Sequence, residues 1–476
     1  MTTLQFRGSS AVLLLPLALF VAVTAHLFIN EAAFDLTGLA AAGVLTLFSG
    51  SLLAKSPTEY WKAAVRGASS ELTGTVVLIL IASGIFSAMM KASGVADGLV
   101  FLGGLLHLTG HAFTVFVLLA SSLMAAATGS SIGTLLAAMP IFFPAGVALG
   151  ADPAMLAGAV LSGAIFGDNL APVSDVTVIS SVTQRFKNGT PADIAGVVRT
   201  RTPYALVALA LSLPVYAFVG ESRPVAEAAL TGNASALLML VPVAVLIAVA
   251  VKTRDVLMAI SAGVVTGTAV GLLAGRLTLA SVFTAQGGQL GGFLISGISN
   301  VSPIILLCVT LFAFTGIVRE ASVPEMMAKA LEHGSEDKPS ALRTELFISA
   351  ATLVVTTLFA AVTSAAVALV GSLTDDIGRA SNVHPYRRSH ILSGFANSLP
   401  VLMPFSAFVL ITMAAVSGLE GAAAVTPFTL MTAAFYPIAR FLVFAVAVAT
   451  GFGRTAETAE KPERVEMNAS IAKASL

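Results

Sequence analysis

The chain has 476 residues, of which 57% are hydrophobic and only 11% are charged. A soluble domain is typically about 25% charged, and no soluble fold buries this much apolar surface, so an ordinary cytosolic enzyme is excluded. The 25 basic and 25 acidic residues cancel, which leaves no basic surface for nucleic acid. The composition indicates an all-α polytopic membrane protein embedded in a lipid bilayer.

Apolar runs long enough to span a bilayer recur along the chain. They are Ser10–Ile29, Leu36–Leu53, Leu72–Met90, Tyr204–Val219, Ala236–Val251, Val256–Ala274, Pro303–Val318 and Phe347–Val370. The first run exceeds the length of a signal-peptide core, so we expect a retained helix, with a cleaved signal peptide as the alternative. Ser56–Ser70 and Arg185–Arg199 are polar and amphipathic, and predict surface helices.

Three further stretches are apolar overall but interrupted by Gly, Pro, Ser, Thr and Asn. They are Ala112–Gly150, Met155–Val182 and Ser389–Val416. A helix facing lipid would leave backbone groups unsatisfied at such breaks. We therefore expect discontinuous helices or re-entrant hairpins, buried within the protein.

The two halves of the chain resemble each other. Leu161-Ser162-Gly163 recurs as Leu392-Ser393-Gly394, and Thr190-Pro191 recurs as Thr426-Pro427, at a nearly constant offset. We predict an N-terminal repeat over residues 1–220, a C-terminal repeat over 221–453 and a polar cytoplasmic tail over 454–476.

Basic residues alternate in opposite phase in the two halves. The second loop of the first half carries Lys55, Lys62 and Arg66, whereas its counterpart holds only Arg276. Because Lys and Arg concentrate in cytoplasmic loops, this alternation predicts two repeats of inverted topology.

The same rule locates the ends of the chain. Arg7 and Arg454 predict that both termini are cytoplasmic and that the protein is a multi-pass protein of the cell inner membrane.

Several ionisable residues have a simple structural interpretation. Glu345, Asp375, Asp376, Arg387 and Arg388 flank apolar runs and are expected to be solvated helix ends.

Three other ionisable residues also receive no functional role. Arg440 is expected near the membrane interface, where a long side chain can reach water. His384 and His390 lack carboxylates at metal-like spacing, so a structural or surface role is favoured over a zinc site.

Asp168 and Asp175 are the carboxylates deep inside a broken apolar stretch. An ionisable residue at membrane depth is costly, so its default interpretation is functional. Asp168 lies between a glycine and a proline, each expected to break the helix. Asp175 and Ser174 could instead be helix caps.

Oxygen-rich side chains surround these carboxylates in sequence. Asp168, Asn169, Ser174 and Asp175 supply the ligands that a hard cation such as Na+ prefers. A carboxylate away from water also holds a proton more readily than one in solution. Asp168 and Asp175 are thus candidate Na+ ligands at a site that takes either a proton or a cation.

Four hydroxyls form a second candidate group, at an expected hairpin tip. They are Thr128, Ser130, Ser131 and Thr134, and the corresponding polar residues of the second half are Thr363, Ser364, Asn397 and Ser398. Asn397 stands about where Asp168 stands, so the second half could bind through dipoles but could not titrate. Hydroxyls bonded within their own helix are the alternative interpretation.

The run "FGDNLAPVSDVT" (Phe166–Thr177), preceded by "TGSSIGT" (Thr128–Thr134), resembles the NhaC family of sodium/proton antiporters. The resemblance implies cation/proton exchange, hairpin-containing repeats that work by an elevator-like movement, and roles in ion binding for Asp168 and Asp175. It also suggests a homodimer. Asn169 and Ala171 depart from the family pattern, and the second half lacks its carboxylate.

Two transporter functions follow. The first is exchange of Na+, or a similar monovalent cation, for H+. The second is Na+- or H+-coupled movement of a small organic anion or amino acid, with Ser130, Ser131, Thr363 and Ser364 binding the substrate. No organic cofactor is expected, and no nucleotide-binding motif indicates ATP drive.

An intramembrane aspartyl protease is disfavoured. Its two carboxylates would come from different helices, whereas Asp168 and Asp175 share one broken segment. The chain is therefore not expected to be an enzyme.

Overall fold

The computed structural model describes residues 4–7, 12, 14–26, 36–223, 225, 233–253, 255–286, 289–321 and 340–457. In the first half the described helices are α1 (Leu14–Ala25), α2 (Leu36–Leu53), α3 (Pro57–Ala68), α4 (Glu71–Ser93), α5 (Val95–Leu105), α6 (Gly110–Thr128), α7 (Ser131–Ala148), α8 (Pro153–Leu170), α9 (Asp175–Val182) and α10 (Ile194–Phe218).

The second half begins with a 3-10 helix, Ala234–Leu240. It is followed by α11 (Val241–Thr253), α12 (Val256–Leu273), α13 (Leu279–Val282), β1 (Thr284–Gln286), β2 (Gln289–Gly291), α14 (Phe293–Glu320), α15 (Ala341–Leu358), α16 (Thr363–Ala380), α17 (Pro385–Ala396), a 3-10 turn at Leu399–Leu402, α18 (Ala407–Val416), a 3-10 turn at Ala422–Ala424, α19 (Pro427–Ala433) and α20 (Phe435–Thr450).

The chain is a helical, multi-pass membrane protein. Eight of the described helices are long and apolar enough to cross a membrane, or up to 11 if each bent pair of helices counts as one span. The expectation of an all-α fold needs one small correction, because β1 and β2 form an antiparallel hairpin that pairs Thr284 with Gly291.

The predicted discontinuities are present. The α8–α9 pair bends by 41° across residues 171–174, and the α17–α18 segment bends by 51°. A third bend, of 53° between α19 and α20, was not predicted. The stretch Ala112–Gly150 forms a helical hairpin, α6–α7, whose turn lies at Gly129-Ser130.

Two helix predictions were wrong. Phe347–Val370 is not one helix, because the chain turns between α15 and α16, where Ala360 and Ala361 have positive φ angles of 50° and 60°. Arg185–Arg199 is not a surface helix. A bridge between Arg185 and Pro191 forms a turn, and α10 begins only after Asp193, whose side chain caps it.

Elements of the two halves pack against each other in reciprocal pairs. Helix α4 runs along α14, α7 contacts α18, and α9 contacts α16. The hairpin α6–α7 and the broken pair α8–α9 of the first half are followed in the second by α15–α16 and α17–α18, in the same order.

Several charged residues expected to be solvated are buried in ion pairs. Glu345 is fully buried and binds Arg387 (Oε1 to Nε, 3.0 Å) and Arg454 (Oε2 to Nη2, 2.9 Å). Asp375 binds Arg388 at 2.8 Å. Opposite charges thus pair inside the protein, and Glu345 lies 42 and 109 residues from Arg387 and Arg454, which hid this cluster from the sequence reasoning. The side chain of Asp376 lies outside the described residues.

The first residues of the predicted polar tail pack onto the helices. Besides the contact of Arg454 with Glu345, the His384 amide donates to the Thr455 carbonyl at 3.2 Å, and the Lys187 amide donates to Glu457 Oε1 at 2.5 Å. Residues 458–476 lie outside the described part of the chain.

Helices α6 and α8 pack closely because glycines on α8 face the α6 backbone. A Cβ added at Gly167 would lie 2.0 Å from the Ser122 carbonyl oxygen. We therefore predict that Gly167→Ala separates the two helices and lowers stability by about 1–3 kcal/mol, measured as thermal unfolding in detergent. The control is Gly74→Ala on α4, where a Cβ meets nothing within 4 Å. Equal unfolding temperatures for the two variants would contradict this packing.

Candidate functional site

Asp168 lies in the last turn of α8, two residues before the helix ends, and its side chain is only 5% exposed. The helix continues through Gly163 and Gly167, so the expected break before Asp168 is absent. These glycines admit the α6 backbone instead. The break follows Leu170, where Pro172 lacks the amide hydrogen needed to continue the ladder.

The hairpin tip reaches the Asp168 carboxylate. The Ser131 hydroxyl, at the start of α7, donates to Asp168 Oδ2 at 2.8 Å. Ser174, beyond the break, is also buried and interacts electrostatically with this carboxylate. Both serines are buried, so the first half presents a carboxylate with two hydroxyls in a site shielded from bulk water.

The tip fits against the break because residue 129 is a glycine. Gly129 has a φ of 66°, and a Cβ there would lie 2.5 Å from Val173 Cγ2. The neighbouring Ser130 caps α7 by accepting a hydrogen bond from the Gly133 amide at 3.0 Å. Backbone conformation and capping together hold the next residue, Ser131, against Asp168.

Asn169 and Asn397 join the two halves of the chain. Asn397 Nδ2 donates to Asn169 Oδ1 at 3.3 Å, and both side chains are buried. Each residue begins an Asn-x-x-Pro sequence, ending at Pro172 and Pro400. Asn397 thus lies opposite Asn169, one position from where the sequence comparison placed it.

Within the described residues, this asparagine pair leaves two polar atoms without partners, Asn169 Nδ2 and Asn397 Oδ1. If both side-chain amides were rotated by 180°, one carbonyl oxygen and one amino group of the pair would still lack a partner. A buried amide without a partner is unfavourable by about 1–3 kcal/mol. The pair therefore offers an oxygen to a cation, or an amide to a polar solute.

Arg201 is a site residue that the sequence reasoning missed. It is 1% exposed, and its Nη2 donates to the Asn169 carbonyl and, at 2.7 Å, to Thr177 Oγ1. Its Nη1 donates to Ser393 Oγ at 3.1 Å. One guanidinium thereby holds both sides of the α8–α9 break and α17.

Arg440 has the corresponding role in the second half, and its side chain does not reach water, contrary to the prediction. Only 1% exposed, it donates to the carbonyls of Ser393 (3.0 Å) and Gly394 (3.2 Å) near the end of α17. These carbonyls belong to the last turn of a helix, where acceptors lack intrahelical partners. The guanidinium satisfies them, so it does not need to reach water.

Neither arginine forms an ion pair with a carboxylate of the described chain. Among those residues, no Asp or Glu oxygen lies within 4.0 Å of the nitrogens of Arg201 or Arg440. The buried centre therefore holds two fixed positive charges beside one titratable carboxylate. The threonines on either side of Arg201, and Ala439 and Phe441 beside Arg440, gave no indication of this in the sequence.

His390 has a structural role, as one alternative predicted. It is 3% exposed, and its Nε2 lies 2.8 Å from Thr200 Oγ1 and 3.2 Å from the Val197 carbonyl. It therefore ties α17 to α10. His384 caps α17 by accepting from the Tyr386 amide at 3.2 Å.

The remaining first-half candidates face a cavity of about 300 Å³, which we call the polar cavity. Thr128, Ser130, Thr134 and Asp175 line it on one side, and α11 and α12 form the other wall. Asp175 begins α9 and is exposed. The predicted site is therefore divided, with Asp168 buried behind the hairpin tip and Asp175 in the open cavity.

Three second-half candidates do not join this centre. Ser398 is buried, but its hydroxyl donates to the Phe395 carbonyl of its own turn at 2.7 Å. Thr363 and Ser364 begin α16, which packs on α9 and α17. Within the described residues, neither forms a hydrogen bond to Asp168 or Asn397.

A larger cavity of about 810 Å³ lies elsewhere, between α4, α14 and the end of α18. None of the predicted site residues lines it. In the described part of the chain, no three His, Cys, Asp or Glu side chains group as a metal site. The donors around Asp168 are oxygens, which hard cations prefer over soft ones.

Comparisons with known proteins agree with the resemblance seen in the sequence. Residues 3–221 match the Na+/H+ antiporter family. The malate-2H(+)/Na(+)-lactate antiporter of Bacillus subtilis is 32% identical over 176 residues, which are 37% of this chain and 36% of that protein. The Na(+)/H(+) antiporter NhaC of Alkalihalophilus pseudofirmus is 41% identical over 104 residues, 21% of this chain and 22% of that protein.

These alignments span about a third or less of each relative's length. Among solved structures, the YdaH transporter of Alcanivorax borkumensis aligns over 80% of this chain and 86% of its own, with 14% identity and a TM-score of 0.37.

Proposed function

We propose, from the match of residues 3–221 to the Na+/H+ antiporter family, that the protein is a secondary active transporter of the cell inner membrane. It exchanges Na+, or a similar monovalent cation, for H+. The observation that carries this proposal is a buried carboxylate, Asp168, at the end of a broken helix and in contact with the Ser131 hydroxyl.

Asp168 is the shared site for the proton and the cation. A hydroxyl both donates and accepts hydrogen bonds. Ser131 and Ser174 can therefore donate to the ionised carboxylate, and can turn their lone pairs toward a bound cation. The Asn397 oxygen, which lacks a partner among the described residues, is a further candidate ligand. Proton and cation then exclude each other, because both require the same carboxylate oxygens.

Asp175 is a second candidate ligand for the cation in this proposal. Its exposed position in the polar cavity suits a residue that meets the ion before Asp168 does. Thr128, Ser130 and Thr134 line the same cavity and supply neutral oxygens along the route.

The transporter consists of two inverted repeats, over residues 1–220 and 221–453, and moves its broken helices and hairpins in an elevator-like step. The repeated order of elements and the reciprocal packing of α7 with α18 and of α9 with α16 support this arrangement. A homodimer is expected from the family resemblance.

Both termini are cytoplasmic in this proposal. The Arg7 amide donates to the Leu53 carbonyl at 3.0 Å, so the N-terminal segment lies against the loop that carries Lys55. Lys and Arg concentrate in cytoplasmic loops. This basic loop and the N-terminal segment beside it are therefore expected on the cytoplasmic side of the membrane.

An alternative is Na+- or H+-coupled transport of a small organic anion or amino acid. Two observations favour keeping it. The buried centre holds Arg201 and Arg440 without carboxylate partners among the described residues, and a relative is named as a malate/lactate antiporter. An anion would balance the excess positive charge.

The test uses purified protein in liposomes with an imposed proton gradient and a lumenal pH dye. Addition of Na+, Li+ or K+ should dissipate the gradient in the wild type but not in Asp168→Asn. If no cation dissipates it, the exchange proposal fails. Small carboxylates and amino acids, screened in the same liposomes for Na+- or H+-dependent uptake, then test the alternative.

A further inference from the structure

Asp255 is an acidic residue of the second half that lines the polar cavity. It precedes α12 and lines the same cavity as the hairpin tip and Asp175, whereas all other acidic candidates come from the first half. In the described part of the chain, no Lys or Arg is among the lining residues, and the rest of the α11–α12 wall is apolar. The described lining therefore combines two carboxylates and three hydroxyls without a basic residue.

The Asp255 side chain is held in place but keeps one oxygen available. Its Oδ1 accepts a hydrogen bond from the Met258 amide at 3.0 Å and so caps α12. Among the described residues, no group donates to Oδ2. Helix capping alone explains a polar residue here, but Asn or Ser would cap equally well. The negative charge also interacts favourably with the helix dipole, but this contribution is small at an exposed helix end.

The polar cavity adjoins the Asp168 centre. Ser130 lines the cavity, and the next residue, Ser131, binds Asp168. The hairpin tip therefore contacts both the cavity and the buried carboxylate. With a volume of about 300 Å³, the cavity holds an ion together with several waters, each of which takes about 30 Å³ in the liquid.

We propose that the polar cavity is where a hydrated cation is captured, and that Asp255 captures it together with Asp175 before it passes to Asp168. The inference rests on the proposed function. It adds Asp255, a residue of the second half of the chain, as a determinant of cation affinity. Like charges lining a cleft with low-dielectric walls concentrate counter-ions and raise association rates. Asp255 acts through this field and takes no part in proton exchange.

The test is Asp255→Asn in the liposome assay at low ionic strength. We expect the Na+ concentration for half-maximal exchange to rise about three- to tenfold, while the rate at saturating Na+ stays unchanged. The difference should shrink when choline chloride is added to about 0.3 M, because salt screens the cavity charge. The matched control is Asp152→Asn, which removes a helix-capping carboxylate from α8 and should leave both values unchanged.

The outcomes separate this inference from the proposed function. Wild-type exchange with unchanged half-saturation in Asp255→Asn would overturn the inference alone. A lower maximal rate without a shift in half-saturation would overturn it too, since that indicates a structural role. If Asp255→Asn fails to fold, Asp255→Ser keeps a capping hydroxyl and is judged by the same values. Absence of cation-driven flux in the wild type would overturn both proposals.

Discussion

Replacing Arg201 by Met should reduce cation-driven proton flux at least tenfold. The substitution leaves the Asn169 carbonyl, Thr177 Oγ1 and Ser393 Oγ without their buried donor. Each buried acceptor left alone costs about 1–3 kcal/mol. Because these acceptors lie on both sides of the α8–α9 break and on α17, we expect Asp168 to lose its position. Flux in liposomes and thermal unfolding in detergent measure the two effects.

Two further variants separate the roles of Arg201. Arg201→Lys keeps the charge, but one ammonium cannot reproduce the planar fork of donors, so we expect a folded protein with intermediate flux. Arg199→Met, on the same helix but exposed, is the control and should behave as the wild type. Wild-type flux in Arg201→Met would show that the break does not depend on this guanidinium.

Replacing Glu345 by Ala should destabilise the protein by about 3–5 kcal/mol, since it leaves the buried Arg387 guanidinium without its carboxylate. The expected result is a markedly lower unfolding temperature in detergent. The contact with Arg454 would be lost as well, which frees the first residues of the C-terminal segment.

Glu320→Ala is the matched control for Glu345. Glu320 pairs with Arg66 near the surface, where an ion pair contributes about 0–1 kcal/mol. The double variant Glu345→Met with Arg387→Met should recover part of the lost stability, because it removes both buried charges. Equal unfolding temperatures for Glu345→Ala and Glu320→Ala would contradict the interpretation of the buried cluster.

Local composition predicted much of the fold. Apolar length located most spans, and the run Leu36–Leu53 has the same bounds as α2. Gly and Pro clusters correctly marked the broken pairs α8–α9 and α17–α18. The turn at Ala360–Ala361 was missed because alanine is a strong helix former, and only the surrounding structure imposes a positive φ there.

The site was predictable where its residues are close in sequence. Asp168, Asn169 and Ser174 stand in one motif, and the hairpin tip forms another. Glu345, Arg387 and Arg440 were assigned to solvated or interfacial positions because their partners are distant in sequence. A charged residue in a membrane protein must lie in contact with water only when it has no buried partner. The spacing of residues in the sequence does not reveal whether such a partner exists.

The central claim is that one carboxylate, Asp168, holds either a proton or a cation. It is tested most directly by proton release from detergent-solubilised protein in weakly buffered solution with a pH dye. Adding NaCl should release protons from the wild type and from Asp193→Asn, a helix-capping variant on α10, whereas N-methylglucamine chloride should not. Asp168→Asn should release none. Undiminished proton release from Asp168→Asn on addition of Na+ would contradict the account.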